Sequence, residues 1–236
     1  MATNYNYFGN LVTSGLVLDL DAAKIDSYPG SGTTWRDISG NNLTGSLVNG
    51  PTFTGIGKQA AIVFDGTNDF VLINNFSQLP VSSSSRTINI WFNPNTTTWQ
   101  DNVNNLFFYG TAGTNAASFG IDFSTYPVME IYTWGGSGRD LLFSSSFAQT
   151  GWANITATYD GSTSIKIYEN GTNTQTLTLL SPCNTGNTNV WIGSINPSYS
   201  PWYFDGRIST LQIYNRALSA AEITQNFNAL RGRYGI

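Results

Sequence analysis

Hydrophobic positions along the chain recur mostly at every second residue, in short runs closed by Gly, Asn, Asp or Pro. That period puts alternate side chains on one face of a strand. Residues 86–92 show it most clearly, with Ile88, Ile90 and Phe92 on one face and Trp91 on the other. Ile155, Ala157 and Tyr159 alternate up to Asp160-Gly161, and Ile165 and Ile167 alternate away from it, which predicts a hairpin. Asn170-Gly171 marks a second turn, leading into residues 174–180. Further strands are expected over residues 15–21, 60–64, 70–73, 106–109, 118–123, 128–133, 141–143, 190–193 and 206–214. The strand over 70–73 is read as the hairpin partner of 60–64, across the turn Asp65-Gly66-Thr67-Asn68-Asp69. Residues 22–50 read as one long turn-rich stretch that Trp35 and Ile38 anchor to the core.

The period changes once. Ser219-Ala220-Ala221-Glu222 has the form of a capping box, in which serine caps the backbone and glutamate reaches back to it. Ile223, Phe227 and Leu230 follow at helical spacing, with Gly232 suited to end the helix. A single helix after the last strand is expected to cover an open edge or end of a sandwich. No repeat, heptad pattern or linker divides the chain. It reads as an arm over residues 1–14 followed by one all-β domain over 15–236.

Composition supports this picture and removes whole chemistries. The 236 residues contain no histidine, which excludes Ser-His-Asp and Cys-His relays and imidazole metal sites. Charged residues make up 10%, with 10 Lys+Arg against 14 Asp+Glu and a net charge of -4. So few scattered basic residues argue against nucleic acid. Roughly a third of the chain is Ser, Thr or Asn, and with 24 Gly and 14% aromatics this suits strands joined by turns. Cys183 is the single cysteine, so no intrachain disulfide forms. The first residues lack the basic and apolar regions of a signal peptide, and no run is long enough to span a bilayer. Synthesis in a host cytoplasm without membrane insertion is the expectation.

Several segments together resemble the laminin G-like, concanavalin A-like jelly-roll domains. They are residues 15–22 (GLVLDLDA), 35–41 (WRDISGN), 63–70 (VFDGTNDF), 152–161 (WANITATYDG), 204–208 (FDGRI), and 213–219 (IYNRALS) with Glu222-Ile223. The resemblance implies a two-sheet antiparallel sandwich. Residues 27–41 and 214–236 also look like members found in tailed-phage virion proteins, especially those of cyanophages. That implies a virion location, as a capsid decoration or tail-appendage component. Its partners would be other virion subunits, further copies of the chain and host surface glycans. The alternative is a free-standing carbohydrate-binding module.

Candidate sites follow from residue chemistry. Glycoside hydrolysis needs two carboxylates flanking the scissile bond. None of Glu130, Glu169 and Glu222 has a carboxylate two residues away, and the Asp19-x-Asp21 pair has no mechanism of its own, so no catalytic residue is assigned. A sugar site would use aromatic residues in Gly- and Pro-containing loops: Trp134 with Arg139, and Tyr199, Trp202 and Tyr203. Their alternative use is as lids over the sandwich ends or in a subunit contact. Asp37 with Asn41 and Asn42, or Asp65 with Asp69, offers oxygen ligands from turns that would suit Ca2+, while Asx capping of the same turns uses them without a metal.

Overall fold

The computed structural model describes residues 10–55, 57, 59–95, 105–125, 127–136, 138–147, 150–199 and 202–236. Sixteen strands among them form two antiparallel sheets, followed by one helix.

The first sheet, sheet A, runs β14 (Thr172–Thr178), β13 (Ser164–Glu169), β12 (Ala153–Tyr159), β7 (Arg86–Pro94), β16 (Asp205–Tyr214), β5 (Ala61–Asp65), β4 (Thr52–Thr54). The long β16 also pairs with β1 (Leu16–Asp21) along its second half. The opposite sheet, sheet B, runs β11 (Asp140–Ser144), β10 (Val128–Tyr132), β9 (Ser118–Thr125), β8 (Asn105–Gly110), β15 (Val190–Ile192), β6 (Phe70–Ile73), β3 (Thr44–Val48), β2 (Thr34–Arg36). Ile88, Ile90 and Phe92 of sheet A meet Phe107, Tyr109, Phe119 and Ile121 of sheet B in one buried core. The two-sheet sandwich and the period-2 reading that gave it agree.

Four sequence expectations change. The stretch 22–50 is not a single loop: β2 and β3 cross it, with Trp35 fully buried and Ile38 half-buried. Strands β5 and β6 do not pair. β5 joins β4 and β16 while β6 joins β3 and β15, so the turn over 65–69 carries the chain from one sheet to the other. Alternation fixes which face of a strand is apolar, but not which sheet it enters. The helix α1 (Ala220–Tyr234) has the capping box of Ser219 and Glu222, yet it runs past Gly232 to end at Gly235, in the left-handed conformation with φ 78°. Finally, the helix covers the outer face of sheet A rather than an edge. The Trp91 ring lies parallel to Phe227 and Tyr234 at 5.5 and 4.1 Å. Arg233 meets Asp21 of β1 in a buried ion pair at 2.7 Å.

Under the helix a polar ladder crosses sheet A. Asn154 and Thr156 donate to Asn89, Asn89 to Gln212, and Gln212 to Asp19. The end of the predicted arm is tied in as well: the Val12 N–H donates to Asn226 of the helix, and Tyr214 donates to the Val12 carbonyl. Residues 1–9 lie outside the described residues.

Between the sheets sits a fully buried cation, Arg86. Its guanidinium donates to the Tyr109 hydroxyl, to Thr185 and to the carbonyls of Ser82 and Ser84. It also lies 5.2–5.7 Å from the ring centres of Tyr109, Phe119 and Tyr159. Arg86→Met strands these acceptors and is expected to lower stability by about 3 kcal/mol or more, a fall of roughly 6–12 °C in melting temperature by calorimetry.

Asp19 supplies a pH effect. Burial pushes its carboxyl from 3.8 to about 6; Lys24 and Gln212 pull it down, and Asp21 and Asp37 push it up. The folded state therefore holds this proton more tightly than the unfolded chain. The resulting stability is complete below the ordinary carboxyl value and is lost as pH rises through about 6. Asp19→Asn should flatten the urea-denaturation stability profile between about pH 4 and pH 7.

Candidate functional site

With the outer face of sheet A under the helix, the outer face of sheet B remains. Strand register builds a row across it. Leu72, Trp191, Phe108, Gly120, Tyr132 and Asp140 lie on successive neighbouring strands and share the outer face. Gly120 makes this row possible, because a Cβ there would come within 2.2 Å of the Tyr132 ring, which lies across it. The rings form a chain. Trp191 is 5.8 Å from Phe108, Phe108 stacks on Tyr132 at 5.8 Å, Tyr132 is 6.3 Å from Trp134, and Trp134 meets Tyr199 edge-on at 4.7 Å.

The loops hold the end of this chain in place. Trp134 adopts φ 70°, a left-handed conformation that is uncommon for a bulky residue. Asp140 fixes it by accepting from the Trp134 N–H at 3.0 Å and from the Gly136 N–H at 2.6 Å. Arg139 of the same turn donates to Ser181 at 2.9 Å. Beyond β15, the Ile195 N–H donates to the Trp202 carbonyl, and Trp202 and Tyr203 pack half-buried against the cluster of Phe70, Phe108 and Trp191. Tyr199 stands 53% exposed at the rim. The structure thus brings together Trp134, Tyr199, Trp202 and Tyr203, with Arg139 beside Trp134.

Sequence reading missed the polar part of the same face. Glu130 lies directly opposite Asp122 on β9, and Asp122 lies opposite Asn105 on β8. Asn105 also donates to the Tyr132 hydroxyl at 2.5 Å. Burial, and then the charges of Glu130 and Asp140, push the Asp122 carboxyl well above its ordinary value, against the pull of the Asn105 amide. Burial and Asp140 raise Glu130 to about 7. A depression of about 550 Å³ opens beside Glu130 and Asp140, with Leu141, Leu142 and Leu177 among its lining residues. The only sequence signal for this pairing was two acidic residues at outward positions of neighbouring predicted strands.

The turn carboxylates are engaged by their own backbones. Asp37 accepts from the N–H groups of Asp19, Ser39 and Leu43 and from the Ser39 hydroxyl. Asn42 is a left-handed turn residue with φ 57°. Asp65 accepts from Thr67 and Asn68, and Asp69 accepts from the Asp65 N–H. Burial works to raise Asp65, but these backbone donors hold it below its ordinary value. Among the described residues no three His, Cys, Asp or Glu side chains gather closely enough to hold a metal ion.

Comparison with known proteins places the architecture. The binding domain of Paraclostridial Mosquitocidal Protein 1 superposes with TM-score 0.68 at 16% identity, over 91% of this chain and 52% of that one. The binding domain of botulinum neurotoxin DC in complex with rat synaptotagmin II gives 0.70 at 16%, over 93% and 52%. The same toxin's binding domain in complex with SialylT gives 0.68 at 15%, over 92% and 52%. The chain spans about half the length of each, and at these identities the likeness is one of fold. No curated protein matches the chain by sequence. The laminin G-like family model of the concanavalin A-like lectin/glucanases superfamily matches residues 65–224, and the chain belongs to that family.

Proposed function

We propose that the chain is a non-enzymatic, lectin-like binding module that engages a glycan at the Trp134–Tyr199 end of sheet B. The observation that carries this reading is the aromatic chain ending in Trp134 and Tyr199, with a tryptophan held at positive φ by Asp140. Backbone strain held in place by its surroundings is characteristic of ligand clamps. Amphipathic rings offer large contact area to a sugar face at low entropic cost. Among the similar structures, one toxin binding domain is in complex with rat synaptotagmin II and one with SialylT. That fits a glycan as the ligand class here.

The setting proposed for this module is a tailed-phage virion, as a capsid decoration or tail appendage docked to neighbouring subunits. The resemblance of residues 27–41 and 214–236 supports it, as does the sparsely charged sequence. Leu142 and Leu180, 58% and 69% exposed, offer apolar contacts for such docking.

On a glycan array the purified chain should retain a defined set of oligosaccharides. Trp134→Ala and Tyr199→Ala should each weaken that binding at least tenfold, about 1.4 kcal/mol, with the fold intact by circular dichroism. Mass spectrometry of purified virions should find the chain in stoichiometric amount. Its absence there would leave the free-standing binding module as the reading.

A further inference from the structure

Buried acids elsewhere among the described residues are met by a positive charge or by hydrogen-bond donors. Asp21 is paired with Arg233 and Lys24 acts on Asp19, while Asp37, Asp69 and Glu169 accept from backbone N–H groups. The outer face of β8, β9 and β10 is different. Asp122 and Glu130 oppose each other directly, and Asp140 lies near enough to act on both. Every charge acting on these two carboxyls is negative, and at Asp122 only the neutral Asn105 amide opposes them. Like charges directly opposite on neighbouring strands destabilise a sheet unless something neutralises them.

A second observation is independent of charge. Asn105 is fully buried, and its Oδ1 has no hydrogen-bond partner, although its amide nitrogen reaches Tyr132. In register it faces Asp122, whose own Oδ1 is also without a partner at 7% exposure. Two buried acceptor oxygens on neighbouring strands thus lack donors, with Glu130 in register on the far side of Asp122. Acceptors without donors call for a cation, and an all-oxygen set of amide and carboxylates suits a hard one. Asp140 is committed to the Trp134 turn, so it contributes field rather than a ligand. Glu130 lines the 550 Å³ depression, which gives an ion and its remaining waters a way in.

We propose that Asn105, Asp122 and Glu130 together hold a hard divalent cation, calcium by the type of its donors. The ion neutralises the opposed carboxylates and ties β8, β9 and β10 together beside Tyr132. The three ligands come from three strands, so no spacing in the sequence announces them. This site is separate from the turns at Asp37 and Asp65, where the backbone already takes the carboxylates.

The test uses the full chain stripped with a chelator and titrated with calcium chloride to about 10 mM near pH 7.5, the weak-site range for such modules. Calorimetry should show one ion per chain. At a hundredfold excess over the dissociation constant, melting should rise by roughly 5–10 °C. Magnesium, which demands stricter octahedral geometry, should shift it less. Asp122→Asn and Glu130→Gln should each weaken calcium at least tenfold while keeping the stripped form as stable as the parent, because each removes a repelling charge. Asp65→Asn should leave calcium binding unchanged. Absence of heat and of any melting shift in the parent overturns the proposal. So does a calcium response that survives both Asp122→Asn and Glu130→Gln. A parent that gains stability on acidification from about pH 8 to pH 6 but ignores calcium also overturns it, and assigns a proton to the pair.

Discussion

The parallel stacking of Trp91 on Phe227 and Tyr234 decides which face of this protein is left to bind anything. Each sheet of a sandwich has two faces, and the inner two make the common core. Aromatic stacking worth about 0.5–1.5 kcal/mol per pair holds the helix across the outer face of sheet A. The buried Asp21–Arg233 ion pair pins its far end. The ladder from Asn154 to Asp19 is thereby buried, each amide nitrogen donating to the next residue while Asn154 Oδ1 is left without a partner.

Sheet B is treated differently. Its outer face carries large rings in a row rather than a helix, and the segment that includes Ile195, Trp202 and Tyr203 covers one part of it. The remainder ends in Trp134 and Tyr199 on one side and in the Asn105–Asp122–Glu130 row on the other. These features share a strand neighbourhood through Tyr132, which stacks on Phe108 and touches Asn105. Fold stability does not require opposed carboxylates or a tryptophan at positive φ. Among the described residues no helix covers this face, and their presence there is the basis for assigning it to binding.

Much of the fold was legible because it is local. Alternation at Ile88, Ile90 and Phe92 named the inner face of β7, and Trp91 correctly fell on the opposite side. Asp160-Gly161 did join β12 to β13, and Ser219 with Glu222 did start the helix. The end of the helix was misread because Gly232 is tolerated inside it, while Gly235 supplies the left-handed cap. Of the candidate site, the aromatic loops could be picked out because Gly and Pro flank them. Their convergence could not, since Tyr199 reaches Trp134 only through the sheet between them.

The sequence by itself determined the strand faces, the turns, the capped helix and the absence of imidazole chemistry. Those depend on neighbours one to four residues apart, where sterics and hydrogen bonding are set by residue type. Only the tertiary structure decided that β5 and β6 enter opposite sheets, and that the helix closes a face rather than an edge. It alone set Asp122 between Asn105 and Glu130. Such neighbours are assigned by strand order and register, where a one-residue slip would turn every side chain to the other face.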